Sequence, residues 1–509
     1  MFITRDVRER EAFMNEHKHP GPQSVSLLAG NWVGIFGLAL VSFGLSTVFC
    51  LIAIDFFHGF SHPYMGILTY LILPSFIWVG LIFTGGGVWL QLRRRKKPAA
   101  VKARAEPGSW RYTRNLIVAL TCGFLFFMFS ALGSYRAFQE TESVRFCGAL
   151  CHTVMKPEYI AYKSSPHARV RCTECHIGPG ASWFVRSKIS GLYQVYAVLT
   201  GIYPRPIPTP VQTLRPAQET CEQCHWPEKF YGSLELRRQF FLPDKENTPW
   251  SVRMLLHVGG GDSTQGPVGG IHWHMIVSNR IEYMPADETR QTIPWVRFTN
   301  RETGEVTVYQ SQDNPSTPEQ KTQPVRVLDC IDCHNRPTHI FYSPYRALDV
   351  SLWLDRIDLS IPYIKVKAAE AMVESSGAGS QALGIDLIAQ KLSKEYSDYQ
   401  DQPKIRQAIS ETQRIFRDNF FPEMKTDWKA RPDNIGHYIW RGCFRCHDGS
   451  HADKTGRTIT NACNTCHTII AQGSQPEQET VSLQGLKFNH PGGEIPPGIL
   501  CSECHSGAP

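Results

Sequence analysis

Three long apolar blocks dominate the first 135 residues of the chain: Asn31 to Phe57, Met65 to Leu92 and Asn115 to Tyr135. Each has 20 residues or more, and at about 1.5 Å per residue a helix of that length crosses a hydrocarbon layer of about 30 Å. Asp55 is the one charged residue in the three blocks. We therefore predict three transmembrane helices within residues 31–135 rather than buried helices of a soluble domain.

The loops between these blocks differ in charge. Arg93-Arg-Arg-Lys-Lys97 and further basic residues up to Arg114 follow the second block, whereas His58 to Tyr64 contains no lysine or arginine. Because basic loops stay in the cytoplasm, we predict a cytoplasmic N-terminus and place everything after Tyr135 on the periplasmic side of a bacterial inner membrane. The first block is too long for a cleaved signal peptide, so it should remain as an anchor.

Beyond residue 136 the pattern changes to shorter segments. Trp295 to Tyr309 holds two β-rich runs around a polar turn with Gly304, which predicts a hairpin. In Ala382–Leu392 and Ile405–Phe416 apolar residues recur three and four positions apart, which predicts packing helices. The predicted fold is mainly α with extensive loops: a three-helix transmembrane anchor plus a periplasmic region that contains a small β element.

Cysteine usage gives the strongest chemical signal. Cys-x-x-Cys-His occurs six times, and Cys147-Gly-Ala-Leu-Cys151-His152 repeats it with one additional residue. Two such thiols attach haem covalently, and the histidine that follows them binds the iron. Zinc sites and disulfide frameworks also use spaced cysteines, but neither needs a histidine directly after the second one.

We therefore predict seven covalently bound haem c groups and number the sites 1 to 7 in chain order. Their cysteine pairs are Cys147 and Cys151, Cys172 and Cys175, Cys221 and Cys224, Cys330 and Cys333, Cys443 and Cys446, Cys463 and Cys466, and Cys501 and Cys504. The motif histidines that would bind the irons are, in the same order, His152, His176, His225, His334, His447, His467 and His505.

A six-coordinate iron needs a second axial ligand. Eight outer histidines lie outside the motifs, close to the number of irons, which favours bis-histidine, low-spin electron-transfer haems: His167, His257, His272, His274, His339, His437, His451 and His490. His272 and His274 should share one face of a strand and reach two neighbouring haems. His447 and His451 should share a helical face, so His451 would serve a haem other than that of site 5.

These features divide the chain into five segments. We predict a cytoplasmic segment at 1–30, three transmembrane helices at 31–135, a three-haem domain at 136–235, a haem-poor β-containing segment at 236–325 and a four-haem C-terminal domain with packing helices at 326–509. Much of the formal net charge of +7 belongs to the cytoplasmic loop. No basic face with interleaved aromatic residues is found, so nucleic acid is not a predicted partner.

The segment from Phe146 to about His225 resembles the NapC/NirT/NrfH group of membrane-anchored quinol dehydrogenases. The resemblance rests on Cys147-Gly-Ala-Leu-Cys-His-Thr-Val-Met155, Ser165-Pro-His-Ala168 and Cys172-Thr-Glu-Cys-His-Ile177. The whole plan of three spans and seven sites is also similar to seven-haem inner-membrane cytochromes of metal-respiring bacteria.

The resemblance implies that site 1 lies beside the quinol at the membrane surface and that Met155 is an axial ligand of its iron. It implies that His167 is the distal ligand of another haem, and that Lys188 and Gln194 line the quinol pocket. Relatives often carry an acid at the position of Gln194. The extra residue after Cys147 would let Met155 approach the iron or leave one face open, unless it is simply tolerated.

The predicted function is a quinol dehydrogenase. It would oxidise menaquinol or ubiquinol and pass electrons through seven haems to a periplasmic c-type cytochrome, in anaerobic or extracellular metal respiration. Two alternatives stay open: a relay subunit docked on a separate quinol-oxidising membrane protein, in a complex or homo-oligomer, and a terminal nitrite or hydroxylamine reductase. The absence of a Cys-x-x-Cys-Lys motif disfavours the reductase.

Overall fold

The computed structural model describes residues 31–58, 72–95, 110–150, 152–178, 180–211, 215–260, 269–320, 323–474, 479–496 and 498–509. The predicted cytoplasmic segment 1–30 and most of the basic loop lie outside the described residues. The chain divides into two compact units, residues 1–141 with 179–182 and residues 142–178 with 183–509. Each unit is described by itself.

The first unit contains three helices: α1 Trp32–His58, α2 Leu73–Arg95 and α3 Trp110–Thr141. Two stretches in the described part of the chain, Trp32–Leu51 and Leu73–Gln91, are long and apolar enough to cross a membrane. Helix α3 covers the third predicted span with 32 residues.

Glycines let α1 and α2 pack closely. A Cβ atom on Gly80 would lie 2.8 Å from the carbonyl oxygen of Gly37, and one on Gly87 would lie 2.6 Å from the Cα atom of Gly34. The amide of Asn31 donates a 2.7 Å hydrogen bond to the carbonyl oxygen of Gly87. Small residues and interhelical amide bonds are typical of transmembrane helix pairs, because lipid tails compete with larger apolar contacts.

The second unit contains the longer helices α4 His152–Lys163, α6 Pro344–Trp353, α7 Ile364–Ser375, α8 Gln381–Glu395 and α9 Gln402–Asn419. It also contains all but the first two residues of α5 Ala181–Thr200. The two predicted packing helices are confirmed as α8 and α9. Helices α6 to α9 build the main core, in which Phe416 stacks on Phe420 with 4.7 Å between ring centroids and Trp428 meets Phe420 at 5.2 Å.

The haem motifs lie mostly in single helical turns. These turns are the π-helix Phe146–Leu150, the α-helical Cys172–His176, Cys330–Cys333 and Cys501–Cys504, and the 3₁₀-helical Cys221–Gln223, Gly442–Arg445 and Cys463–Thr465. Further 3₁₀ turns are Ala217–Glu219, Pro227–Lys229, Ile271–Met275 and Pro422–Met424.

The β structure is more extensive than the small element predicted. A four-stranded antiparallel sheet has the order β1-β2-β8-β9, and a five-stranded antiparallel sheet has the order β6-β3-β4-β5-β7. The strands are β1 Ser233–Phe241, β2 Pro249–His257, β3 Asn279–Met284, β4 Trp295–Asn300, β5 Val306–Ser311, β6 Arg326–Val327, β7 His451–Ala452, β8 His467–Gly473 and β9 Thr480–Val481.

The predicted hairpin is confirmed as β4 and β5. Trp295 lies opposite Gln310 and Thr299 opposite Val306, and Gly304 has a φ of 73° in the connection. Strands β7, β8 and β9, from the predicted C-terminal domain, complete sheets that begin in the predicted haem-poor segment. Residues 236–325 and 326–509 therefore share both sheets, because strand pairing joins segments that the sequence pattern separates.

Candidate haem sites

Twelve histidines of the second unit lie in six pairs, and each pair contains one motif histidine. His272 and His334 are the most parallel, with 6.3 Å between ring centroids and 3° between ring planes. The other centroid distances are 6.4 Å for His176 and His339, 6.0 Å for His225 and His167, 5.8 Å for His447 and His274, 6.2 Å for His467 and His437, and 5.9 Å for His505 and His490.

These distances fit an iron porphyrin between the two rings. A metal–imidazole nitrogen bond is about 2 Å long, so two imidazoles on opposite faces of one iron have ring centroids about 6 Å apart. All six pairs lie near that value, from 5.8 to 6.4 Å. Sites 2 to 7 thus have the geometry of bis-histidine haem sites.

In five of these twelve rings the outer nitrogen is held by a backbone carbonyl. His272 Nδ1 lies 2.9 Å from the carbonyl oxygen of Val258, and His339 Nδ1 lies 3.0 Å from that of Glu158. The Nδ1 atoms of His167, His274 and His447 have similar carbonyl partners. Because a carbonyl only accepts, Nδ1 carries the proton and Nε2 is left to bind metal, the usual arrangement of metal-ligating histidine.

Burial favours the neutral rings that metal binding requires. It lowers the pKa of His339 to about 4. It also lowers the pKa values of His176, His274, His334, His437, His467 and His505. The cause is that the protonated form would lose part of its hydration.

One short turn supplies two sites. His272 and His274 lie in the 3₁₀ turn Ile271–Met275 and not in a strand, so that part of the prediction is wrong. Successive residues of a 3₁₀ helix are about 120° apart, which separates the directions of the two rings and turns them to His334 and His447. They do reach two consecutive sites, 4 and 5, as the sequence predicted.

Two of the predicted ligands have other partners. His451 is 1% exposed, and its Nδ1 and Nε2 atoms lie 2.8 Å from the Asp448 carboxylate and 2.7 Å from the Ile293 carbonyl oxygen. Neither nitrogen is left for iron, and the residue begins a strand rather than sharing a helix with His447. His257 is bonded through Nε2 to the Thr468 hydroxyl at 3.0 Å. The prediction that His257 and His451 are ligands rests on residue type alone, and residue type does not reveal such hydrogen bonds.

Site 7 differs in its outer hydrogen bonds. Tyr438 bonds to His505 Nδ1 at 3.2 Å through its hydroxyl, and the Gly492 amide donates to His490 Nδ1 at 3.1 Å. The second bond leaves the ring proton of His490 on Nε2. Binding of iron at that nitrogen would therefore require the proton to leave and the Gly492 bond to break.

At site 1 the additional residue falls in a π-helical turn, Phe146–Leu150. Such a turn holds one more residue than an α-helical turn and occurs often at functional sites. Helix α4 then begins at His152, with Met155 three residues further. Met155 therefore lies close to the motif histidine along the same helix, and its role as an axial ligand of site 1 stays a prediction.

Consecutive sites are neighbours in space. At least one cysteine of each site lies in electrostatic range of, or in contact with, a cysteine of the next: Cys147 with Cys172, Cys175 with Cys221, Cys221 with Cys330, Cys333 with Cys443, Cys443 with Cys466, and Cys463 with Cys501. The seven sites therefore follow one another in chain order. Every cysteine whose side chain is described is free of disulfide bonds.

Lys188 lies beside site 1. Its ammonium forms a 2.5 Å ion pair with Glu142 and lies 4.9 Å from the ring centroid of Phe184. Both charges are within electrostatic range of the Cys147 thiol. Sequence reasoning missed Glu142, because its partner Lys188 lies 46 positions further along the chain.

Gln194 is not brought to this ion pair. It lies six residues after Lys188 on α5, is exposed, and donates to the Ser190 hydroxyl of the same helix at 3.2 Å. At about 100° per residue, six residues correspond to one full turn and about 240° more, so Lys188 and Gln194 leave α5 on different faces. The structure therefore offers Glu142, and not Gln194, as the polar partner of Lys188.

Comparison with known proteins agrees with this geometry. Residues 110–206 match the N-terminal region of the NapC/NirT cytochrome c family. The chain is also 40% identical over 488 residues to the cytochrome c-type protein ImcH of Geobacter sulfurreducens, covering 93% of this chain and 94% of that protein. The chain belongs to the NapC/NirT cytochrome c family. It is an ImcH-like, membrane-associated electron-transfer protein with covalently bound haem c. No solved structure matches it.

Proposed function

We propose that this cytochrome is an inner-membrane quinol dehydrogenase. It oxidises menaquinol or ubiquinol at the periplasmic surface and passes electrons through seven c-type haems to a periplasmic c-type cytochrome, in anaerobic or extracellular metal respiration. Three spans anchor it, with the N-terminus in the cytoplasm. The observation that carries the proposal is the ion pair of Lys188 and Glu142 beside Cys147 of site 1.

This ion pair suits a quinol. An ammonium can donate a hydrogen bond to a quinol oxygen, and a carboxylate can accept one from a hydroxyl group. The Lys188 side chain is 38% exposed and that of Glu142 is 5% exposed, so the lysine is accessible from outside and the glutamate is buried. Both groups lie where the first haem would attach, which would bring a bound quinol close to the start of the row of sites.

The six histidine pairs favour electron transfer over terminal reduction. Paired imidazoles fill both axial positions, and a reductase needs an open iron on which its substrate can bind. Six of the eight outer histidines outside the motifs belong to pairs, and the remaining two bond to Thr468, Asp448 and Ile293. None of the six pairs includes the motif histidine of site 1, in keeping with our proposal of an open face toward the quinol.

When bound, the haems accept and release single electrons. The protein holds their attachment sites in chain order, so Cys147 and Cys501 lie in the first and last sites of one row. Backbone carbonyls hold the outer nitrogen of five of the paired histidines, as at His272 and His339. We propose that the acceptor cytochrome takes its electrons at site 7.

Helix α5 has an apolar stripe suited to the membrane surface. Its exposed residues recur at helical spacing, with exposures of 65% for Ile189, 73% for Leu192, 57% for Tyr196 and 82% for Leu199. Soluble proteins seldom expose such a continuous stripe. We propose that it lies in the interface, where tyrosines are enriched, and brings Lys188 to quinol depth.

The function is tested with the purified full-length chain in liposomes that contain menaquinol, with oxidised cytochrome c outside. We expect reduction of the external cytochrome that depends on the quinol. Activity that appears only after a second integral membrane protein is added would instead identify the chain as a relay subunit. Turnover of nitrite or hydroxylamine with a dye donor would favour the reductase.

The haem count gives a direct prediction. The intact mass of the purified protein should exceed that of the polypeptide by seven haems, because each of the seven motifs supplies two thiols and a histidine. Mass spectrometry under denaturing conditions measures this, since thioether bonds survive. A mass with six haems would show that Cys147 and Cys151 do not attach one.

Met155 gives a prediction for site 1, where we propose it as the ligand and expect the opposite face of the iron to be open. Met155→His should lower the midpoint potential of one haem, because imidazole stabilises ferric iron better than a thioether does. A spectroelectrochemical titration measures the shift. If no component of the titration moves, Met155 does not bind the iron.

A further inference from the structure

Glu142 is the buried acid nearest to the proposed quinol position. The residue is 4% exposed and follows α3 directly in the chain. Its described ion-pair partner is Lys188, across 46 positions of sequence. A buried carboxylate is costly unless it is paired, and Lys188 supplies that pairing beside site 1.

We propose that Glu142 accepts the hydroxyl proton of the bound quinol, the role for which Gln194 lacks the chemistry. This inference rests on the proposed quinol dehydrogenase function. A carboxylate can bind and release a proton at its oxygen, whereas the amide of Gln194 cannot act as a base near neutral pH.

The proton and electron balance is simple. A quinol becomes a quinone when its two O–H bonds break and it loses two protons and two electrons. A ferric haem attached at Cys147 of site 1 would take the electrons one at a time, and the Glu142 carboxylate takes the proton from the hydroxyl that is being oxidised. Glu142 then releases this proton to water before it accepts the second one.

The surroundings of Glu142 support such a cycle. Lys188 holds the carboxylate at 2.5 Å, and the lysine side chain is 38% exposed, which gives water access to the lysine side of the pair. The ammonium of Lys188 holds the carboxylate in a fixed position. Lys188 therefore acts as a positioning residue for Glu142 as well as a hydrogen-bond donor to the quinol.

The competing explanation is that Glu142 only fixes the position of Lys188. Glu142→Gln separates the two roles, since glutamine keeps the size and an oxygen acceptor for Lys188 but cannot take a proton. We expect quinol-driven haem reduction to slow about a hundredfold, the scale of general-base catalysis. Three other properties should stay within about twofold of wild type. They are haem content, reduction by dithionite, and binding of a fluorescent hydroxyquinoline N-oxide, which is a quinol analogue.

Two further variants make the test specific. Glu142→Asp keeps a carboxylate that is one methylene shorter and should recover part of the lost rate. Glu374→Gln is the control, because Glu374 also pairs with a lysine, Lys391. Glu374 lies on helix α7 and is 59% exposed. The Glu374→Gln variant should leave the rate unchanged.

The possible failures are distinguishable. A Glu142→Gln protein that oxidises quinol at the wild-type rate overturns this inference alone. If Glu142→Gln loses both the quinol-driven rate and binding of the analogue, Glu142 only positions Lys188, and the inference is overturned. A Glu142→Asp protein that is no faster than Glu142→Gln would also overturn it. If the wild-type protein is not reduced by quinol, the proposed function fails, and this inference fails with it.

Discussion

Replacing Lys188 with alanine should slow reduction of the haems by a menaquinol analogue about a hundredfold, while reduction by dithionite and haem content remain unchanged. The reason is that the ammonium beside Cys147 is the proposed donor to the quinol oxygen and the partner of Glu142 at 2.5 Å. Stopped-flow absorption at the c-type haem bands measures both reductions on the same sample.

Lys391→Ala is the control for this experiment. Lys391 also pairs with a glutamate, Glu374, on helices remote in sequence from site 1, so its removal should not affect the quinol-driven rate. A lysine at the membrane interface often binds only lipid phosphate. If Lys188→Ala reduces its haems at nearly the wild-type rate, that simpler role is correct and the quinol-site assignment is wrong.

The second large effect concerns the fourth site. His272→Met should raise the midpoint potential of one haem on the order of 100 mV, since methionine ligation favours ferrous iron and axial ligands span about 0.8 V. His272 faces His334 at 6.3 Å, in the middle of the row. An electron sink there should also slow delivery to an external cytochrome. A redox titration followed by optical spectroscopy measures the potential.

His451→Gln is the contrasting variant. Both nitrogens of His451 are bonded to protein oxygens, so every haem potential should stay unchanged. The free energy of unfolding should fall by about 1–3 kcal/mol, because a buried partner loses a hydrogen bond. A shifted potential in His451→Gln, or none in His272→Met, would contradict the ligand pairs described above.

Local patterns in the sequence predicted local structure well. The hairpin of β4 and β5 and the helices α8 and α9 depend on residues close in the chain, so periodicity was enough to find them. The extent of the sheets was not predictable in the same way. β8 begins at the motif histidine His467 and pairs with β2, a contact decided by tertiary packing rather than by strand propensity.

The distal ligands show the same limit. The counts of histidines and motifs predicted paired imidazoles, but not which rings meet. His176 pairs with His339, and His225 pairs with His167, so the partners cross in the sequence order. His451 and His257 looked equivalent to the others because their bonds to Asp448 and Thr468 exist only in the folded chain.

Glu142 illustrates a different limit. At the end of an apolar helix an acid reads as an ordinary boundary residue, and Lys188 lies 46 positions further along. Only the fold shows that they form a pair beside Cys147. The resemblance to relatives implies a role for Gln194, whose amide bonds instead to Ser190 of the same helix.

The central claim is that quinol oxidation feeds the row of haem sites within this one chain. The most direct measurement is anaerobic mixing of the purified, fully oxidised protein in detergent with a menaquinol analogue, followed at the c-type haem absorption bands. The account predicts rapid reduction of most of the haem absorbance that dithionite reduces. A spectrum that stays fully oxidised with the quinol, in a protein whose haems dithionite still reduces, would contradict it.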